Sequence, residues 1–118
     1  AWNANDGRQP FRVALLGAML ELGADERELH ASVGEYAAGL GLDAIITVGS
    51  PSDEHLNVLA ESLAEGATRG RAASVDCVQT IDEAERIVLD LAKNHTDTVV
   101  LLKGSHASGL SALAERWA

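Results

Sequence analysis

The chain of 118 residues is poor in several residue types, and each shortage excludes a class of protein. Its one cysteine, Cys77, cannot form an internal disulfide, and the spacing of Cys77 and the histidines matches no zinc motif. Positive charge is also scarce, since 9 Lys and Arg oppose 18 Asp and Glu for a net charge of −9. The basic residues are scattered, which argues against binding to nucleic acid or to an anionic membrane.

Long apolar runs are absent as well. No run approaches the roughly 20 residues of a membrane span, and the polar residues 1–10 contain no apolar signal-peptide core. Together with the lone cysteine, these features predict a reducing, cytoplasmic location. A chain of 118 residues allows one core, because domains usually have roughly 100–150 residues. We therefore expect residues 1–118 to form a single domain that is too small for an ordinary enzyme.

Short apolar runs alternate with longer amphipathic ones along the chain. The apolar runs are 13–16, 44–48, 73–78 and 98–102, and the helical patterns are 25–40, 53–65, a segment from Thr80, and 108–117. This alternation predicts an α/β fold, a Rossmann-like, mostly parallel sheet with helices on both faces. We expect the 98–102 strand to be central, because its β-branched and aliphatic run is the strongest of the four.

Local signals refine the elements. The first helix is expected to bury a stripe of five residues at helical spacing, Leu29, Val33, Tyr36, Ala37 and Leu40. Gly66 is expected to end the second helix, and Thr80 with Glu83 forms a capping box for the third. Cys77 lies between valines and is expected to be a small core side chain.

Ligands of parallel sheets bind beyond the carboxyl ends of the strands, so the loops after the four strands are the candidate site. The last strand is followed by Lys103, Gly104 and Ser105. An ammonium and a hydroxyl in this position can bind an anionic group.

Three segments together resemble a known family. Residues 16–23, Leu-Gly-Ala-Met-Leu-Glu-Leu-Gly, are similar to the L-G-D-M-x-E-L-G signature of the Mur ligases that add D-alanyl-D-alanine to UDP-N-acetylmuramoyl-tripeptide. Residues 1–5, Ala-Trp-Asn-Ala-Asn, resemble that family's A-Y-N-A-N-P segment, and Lys103-Gly104-Ser105 matches its last-strand turn. The resemblance is to the carboxy-terminal domain of these enzymes and spans the chain.

Two departures from the family pattern matter. Ala18 stands where the family has Asp, so this chain lacks the carboxylate and any electrostatic role that it plays. The family also places a helix and a loop between its opening segment and the next strand, whereas only residues 6–10 intervene in this sequence. The chain is therefore expected to be a domain of a larger three-domain enzyme, shortened or incomplete near residues 6–10.

The resemblance implies an ATP-dependent amide ligase that activates a carboxylate as an acyl phosphate. In the family, the central ATPase domain supplies the P-loop and the Mg²⁺ site. This chain has no G-x-x-x-x-G-K-[ST] motif, so the isolated domain is expected to be inactive and to bind no cofactor by itself. Its share would be to position the D-alanyl-D-alanine amine and to complete the ATP site across an interdomain cleft.

The resemblance also implies site residues. Asn3 and Asn5 would lie near the nucleotide of ATP, where amides can donate and accept hydrogen bonds, or they would only hold a loop. Lys103, Ser105 and His106 would bind the dipeptide, with His106 the weakest candidate of the three. Glu21 would hold the amine or a basic residue of the neighbouring domain. No catalytic or metal-binding residue is expected in the chain.

Two other kinds of α/β module have a similar size. A phosphoacceptor receiver domain needs carboxylates directly after its first strand, where this chain has Gly17 and Ala18. A dinucleotide-binding fold needs G-x-G-x-x-G after a strand, whereas the only G-x-G here, residues 39–41, ends a predicted helix. A non-catalytic receiver-like or nucleotide-binding module remains the alternative.

Overall fold

The computed structural model describes residues 11–18, 26–94 and 98–103. Strands and helices alternate through this part of the chain. In order they are β1 (Phe11–Gly17), α1 (Glu26–Ala38), β2 (Ala44–Val48), α2 (Glu54–Arg69), β3 (Val75–Val78), α3 (Ile81–Lys93) and β4 (Thr98–Lys103).

The four strands form one parallel sheet in the order β3-β2-β1-β4. Side chains of β1 and β2 are buried on both faces of the sheet, as their unbroken apolar runs predict. One face carries a core that includes Val13, Leu15 and Val88 of α3, and the other carries Ala14, Ile45 and helix residues of α1 and α2. The predicted α/β fold with helices on both faces is confirmed.

The direction of the connections explains which helix lies on which face. The chain moves from β1 to β2 to β3 in one direction across the sheet, so right-handed crossovers bring α1 and α2 to the same face. It then returns past both strands to β4 on the far side of β1, which brings α3 to the opposite face.

Helices α1 and α2 touch through their backbones at two glycines. A Cβ added at Gly34 would overlap the carbonyl oxygen of Leu63, and one added at Gly66 would overlap the carbonyl oxygen of Ala31. Both glycines are buried. The helices can therefore approach this closely only because neither position carries a side chain.

Side chains cap the N-termini of α2 and α3. The Asp53 carboxylate accepts the backbone N–H groups of His55 and Leu56 at α2. Thr80 accepts the N–H of Glu83 at 3.1 Å, and the Glu83 carboxylate accepts the N–H of Gln79 and the Thr80 hydroxyl. The capping box predicted at Thr80 and Glu83 is confirmed. The backbone N–H that the Glu83 carboxylate accepts is that of Gln79, one residue before the expected N–H of Thr80.

Helix α1 packs in a different phase from the predicted stripe. Leu29, Tyr36 and Leu40 are 40%, 72% and 45% exposed, whereas His30, Ala31, Gly34 and Ala37 are buried. The predicted stripe is confirmed at Ala37, which is buried, and at Val33, which packs against the same core. It is wrong at Leu29, Tyr36 and Leu40, because close contact with α2 requires small residues such as Ala31 and Gly34 in their place.

Three further expectations are wrong for a physical reason. Gly66 does not end α2, which continues to Arg69, because this glycine serves the contact with α1. Within the described residues β4 lies at an edge of the sheet and exposes Val99 and Leu101. Cys77 is exposed, because β3 is the other edge of the described sheet.

The predicted helix at 108–117 lies outside the described residues, as does the segment 6–10. No helix in the described ranges is long and apolar enough to cross a membrane.

Replacing Gly66 with Ala should force α1 and α2 apart and lower the free energy of unfolding by about 2 kcal/mol. This is the net loss, from which the higher helix propensity of Ala has already been subtracted. Urea denaturation measures this loss. The exposed Glu61→Ala on the same helix is the matched control and should change stability by less than about 0.5 kcal/mol. Equal stability of the two variants would contradict the backbone contact.

Candidate functional site

The carboxyl ends of the strands meet along one edge of the sheet. The parallel register aligns Gly17 with Val48, Val48 with Val78, and Leu16 with Lys103. The residues that follow the strands, among them Ala18, Ser50 and Thr80, therefore lie along this edge. It is the edge at which open parallel sheets bind ligands.

The order of the strands marks one position on this edge. β1 leads to α1 on one face, while its neighbour β4 is reached from α3 on the other face. The direction in which the chain crosses the sheet therefore reverses between β1 and β4, and open parallel sheets bind ligands in a crevice at the carboxyl ends of the strands at such a position. Lys103 ends β4 and pairs in register with Leu16 of β1, so it lies beside this crevice.

Lys103 is exposed and lies on the same sheet face as α1 and α2, because its register partner Leu16 packs in the core beneath those helices. Its ammonium can reach the solvent-filled space above the crevice. A cation there can bind a carboxylate or a phosphoryl oxygen. The structure therefore brings this predicted site residue to the expected edge.

Ala18, which follows β1, is buried and only 1% exposed. It packs with Leu56 and Leu59 of α2 in a small apolar cluster. The position at which the signature has a carboxylate is thus apolar in this chain. A methyl group fits there without an unpaired polar atom.

The loop from β2 to α2 is fixed by side chains that the sequence patterns did not single out. Asn57 accepts the N–H of Ser50 at 2.8 Å, and a Cβ on Gly49 would collide with the Asn57 side chain. The Ser50 hydroxyl accepts the N–H groups of Ser52 and Asp53 at 3.2 and 3.1 Å. The sequence does carry a signal for this loop. Gly49 directly follows the strand, and the polar Asn57 lies in the second turn of the next helix.

The structure describes two histidines, His30 on α1 and His55 in the first turn of α2. His30 is buried in α1, where its Nδ1 donates to the carbonyl of Glu26 at 2.6 Å. His55 is a surface residue whose Nε2 lies 3.1 Å from a Glu26 carboxylate oxygen. That pair borders a pocket of about 540 Å³ on α1 and α2, with charges of both signs from Arg27, Glu65 and Arg69.

Five of the predicted site residues lie outside the described residues. They are Asn3, Asn5, Glu21, Ser105 and His106. Across the described ranges, no group of three or more His, Cys, Asp or Glu could hold a metal ion. Of the predicted set, the structure therefore describes Lys103 alone.

Comparison with known proteins agrees with this arrangement. The family model described as "Mur ligase, glutamate ligase domain" matches residues 3–106. The chain belongs to the Mur ligase family. The UDP-N-acetylmuramoyl-tripeptide--D-alanyl-D-alanine ligase of Mycobacterium tuberculosis (strain CDC 1551 / Oshkosh) is 33% identical over 121 residues, which cover 98% of this chain and 24% of that protein.

Two further relatives support the assignment to this family. The enzyme of the same name from Escherichia coli (strain K12) is 43% identical over 42 residues, or 36% of this chain and 9% of that one. A crystal structure of MurF from Acinetobacter baumannii superposes with a TM-score of 0.70 at 26% identity, covering 92% of this chain and 22% of that chain. The Mycobacterium tuberculosis relative matches nearly all of this chain, but the chain spans only about a quarter of that relative's length.

The nucleotide and metal of Mur ligases do not fit the described residues of this domain. Its sequence has no P-loop, and its apolar cluster at Ala18 offers no oxygen ligand to a hard cation.

Ala18→Asp should destabilise this Mur ligase domain by about 2 kcal/mol at neutral pH, because it buries a carboxylate against Leu56 and Leu59. Burial raises the pKa of the introduced carboxyl above its unfolded value of about 3.9. The folded state then binds the proton more tightly, so the loss should be small below about pH 4 and grow as the pH rises. Thermal unfolding measured from acid to neutral pH tests this.

Ala18→Asn is the control for this variant, because it adds a side chain of nearly the same size that does not ionise. Its loss of stability should stay constant over the same pH range. Equal losses with no pH dependence in the Ala18→Asp protein would show that this position is open to water.

Proposed function

We propose that this chain is the C-terminal domain of an ATP-dependent ligase of the MurF type. Such a ligase joins D-alanyl-D-alanine to UDP-N-acetylmuramoyl-tripeptide during the synthesis of peptidoglycan precursors in the cytoplasm. The Mycobacterium tuberculosis relative is named as the ligase that joins these two substrates, and it matches 98% of this chain. The single observation that supports its role is the position of Lys103 beside the crevice between β1 and β4.

Lys103 is proposed to bind the carboxylate of D-alanyl-D-alanine. An ammonium at the end of a strand, fixed by the backbone pairing of β4 with β1, holds a carboxylate with a charge-assisted hydrogen bond. Ser105 and His106 follow in the same segment and would add hydrogen bonds to the dipeptide. Glu21, after β1, would face its amine.

The dipeptide amine must reach the activated carboxyl group of the tripeptide, and holding both in place converts a bimolecular step into an effectively unimolecular one. The domain is proposed to supply that positioning, while the central ATPase domain of the same polypeptide binds the ATP phosphates and Mg²⁺. Asn3 and Asn5 would complete the nucleotide site from this side. Without the P-loop domain, the isolated chain should be inactive.

Replacing Lys103 with Ala in a ligase polypeptide that contains this domain should lower kcat/KM for D-alanyl-D-alanine by about 10- to 100-fold. This corresponds to the loss of one hydrogen bond to a charged group. The KM for the UDP-linked tripeptide should hardly change, because that substrate meets other residues. Steady-state kinetics with each substrate varied in turn measures both effects.

Lys93 provides the matched control, since it is the only other lysine of the chain and lies at the end of α3. Lys93→Ala should change kcat/KM by less than about twofold, as expected for a surface charge. If Lys103→Ala behaves like Lys93→Ala, the proposed dipeptide site at the end of β4 is wrong. If the parent polypeptide forms no amide bond with ATP and both substrates, the proposed function itself is wrong.

A further inference from the structure

Strand β3 forms one edge of the described sheet. On its inner side, the carbonyl groups of Ser74 and Val78 accept N–H groups from β2 and from the glycine that follows it, each at 2.8 Å. Alternate residues of a strand direct their backbone groups to opposite sides. Val75 and Cys77 therefore direct their N–H and C=O groups outward along the edge, where another strand can pair with them.

A groove of about 480 Å³ lies beside the same edge, between β3 and α2. Val75 packs against the core beneath α1 and α2, and Cys77 shares its face of the sheet because it is two residues further along the strand. The described residues that line the groove are Glu61, Ala64, Glu65, Thr68, Val75 and Cys77. They include two exposed carboxylates and no basic side chain. A strand added to this edge would direct every second side chain toward the groove.

Charge argues against a second copy of this chain as the occupant. Asp76 is exposed on the other face of β3, since its register partner Ile46 packs in the core around α3. Two copies paired through β3 would bring Asp76, Glu61 and Glu65 of each copy near those of the other. Like charges across paired strands are destabilising, and charged edges are one way in which proteins avoid pairing with themselves. The same carboxylates favour a cationic strand.

We propose that the edge of β3 binds an extended segment of a second protein that carries lysine or arginine at alternate positions. The segment adds to the described sheet beside β3, and its backbone exchanges hydrogen bonds with Val75 and Cys77. Its basic side chains enter the groove, with their aliphatic stems against apolar groups and their charged ends at Glu61 and Glu65. Backbone pairing supplies affinity, and the groove supplies specificity.

The chain itself does not supply this segment. Residues 69–71 are its one stretch with basic side chains at alternate positions, and they lie at the end of α2. The edge of β3 is also separated from β4 and Lys103 by the two central strands of the described sheet. The inference therefore does not rest on the proposed function.

Peptide titration followed by NMR tests the proposal on the isotope-labelled 118-residue chain. The probe is a short capped peptide in which lysine alternates with threonine, so that a strand presents its ammonium groups on one face. The amide signals of Val75 and Cys77 should shift and saturate, while that of Leu89 on α3 stays unmoved. A peptide of the same composition whose lysines all precede its threonines should bind at least about fivefold more weakly.

Two variants separate strand pairing from general electrostatic attraction. Cys77→Pro removes an outward N–H and keeps the bonds to β2, since an edge strand accepts proline on its outer side. The double variant Glu61→Gln with Glu65→Gln removes both carboxylates of the groove. Each should weaken binding of the alternating peptide by about fivefold, the effect of losing one hydrogen bond or two exposed charge pairs.

The matched control is Glu28→Gln with Glu54→Gln, which removes two exposed carboxylates from the first turns of α1 and α2. It should change binding by less than about twofold, because these charges lie away from the groove and are screened. If Cys77→Pro does not fold by circular dichroism, the two peptides and the two carboxylate pairs decide.

Equal binding of the two peptides, or equal losses in the two carboxylate pairs, would overturn the proposal, because attraction would then follow net charge alone. Saturable binding that leaves Val75 and Cys77 unshifted would overturn it, as would the absence of binding. Self-association of the chain that Cys77→Pro abolishes would also overturn it, because the occupant would then be a second copy.

Discussion

The contact between the backbones of α1 and α2 is the constraint on which the rest of this structure depends. Gly34 and Gly66 let the two helices approach until each position touches a carbonyl group of the other helix. This fixes both helices as one layer over β1 to β3. It also fixes the N-terminus of α2, and with it Leu56 and the Ser50 loop, at the carboxyl edge of the sheet.

The same contact determines which surfaces remain open. Because small residues of α1 face α2, its large apolar side chains Leu29 and Tyr36 are exposed. The carboxyl edge in turn combines an apolar position at Ala18 with a cation at Lys103. A domain built in this way suits the proposed binding of an anionic group beside Lys103.

Much of this fold could be predicted from sequence, but the packing of the helices could not. The β2 strand at Ala44–Val48 and the Thr80 cap follow from local patterns, since apolar runs and capping residues act over a few residues. The buried flank of α1 depends on Gly66, more than thirty residues away. Likewise, Lys103 could be placed at a carboxyl end, but its position beside β1 follows only from the strand order. The burial of Ala18 also depends on a distant helix.

The central claim is that the carboxyl end of β4 binds the dipeptide. Titration of an isotope-labelled ligase polypeptide with D-alanyl-D-alanine, followed by NMR in the presence of a non-hydrolysable ATP analogue, tests it most directly. The amide signals of Lys103 and of its register partner Leu16 should shift and saturate, while those of Lys93 and His55 stay unmoved. Saturable binding that leaves Lys103 and Leu16 unshifted would contradict it.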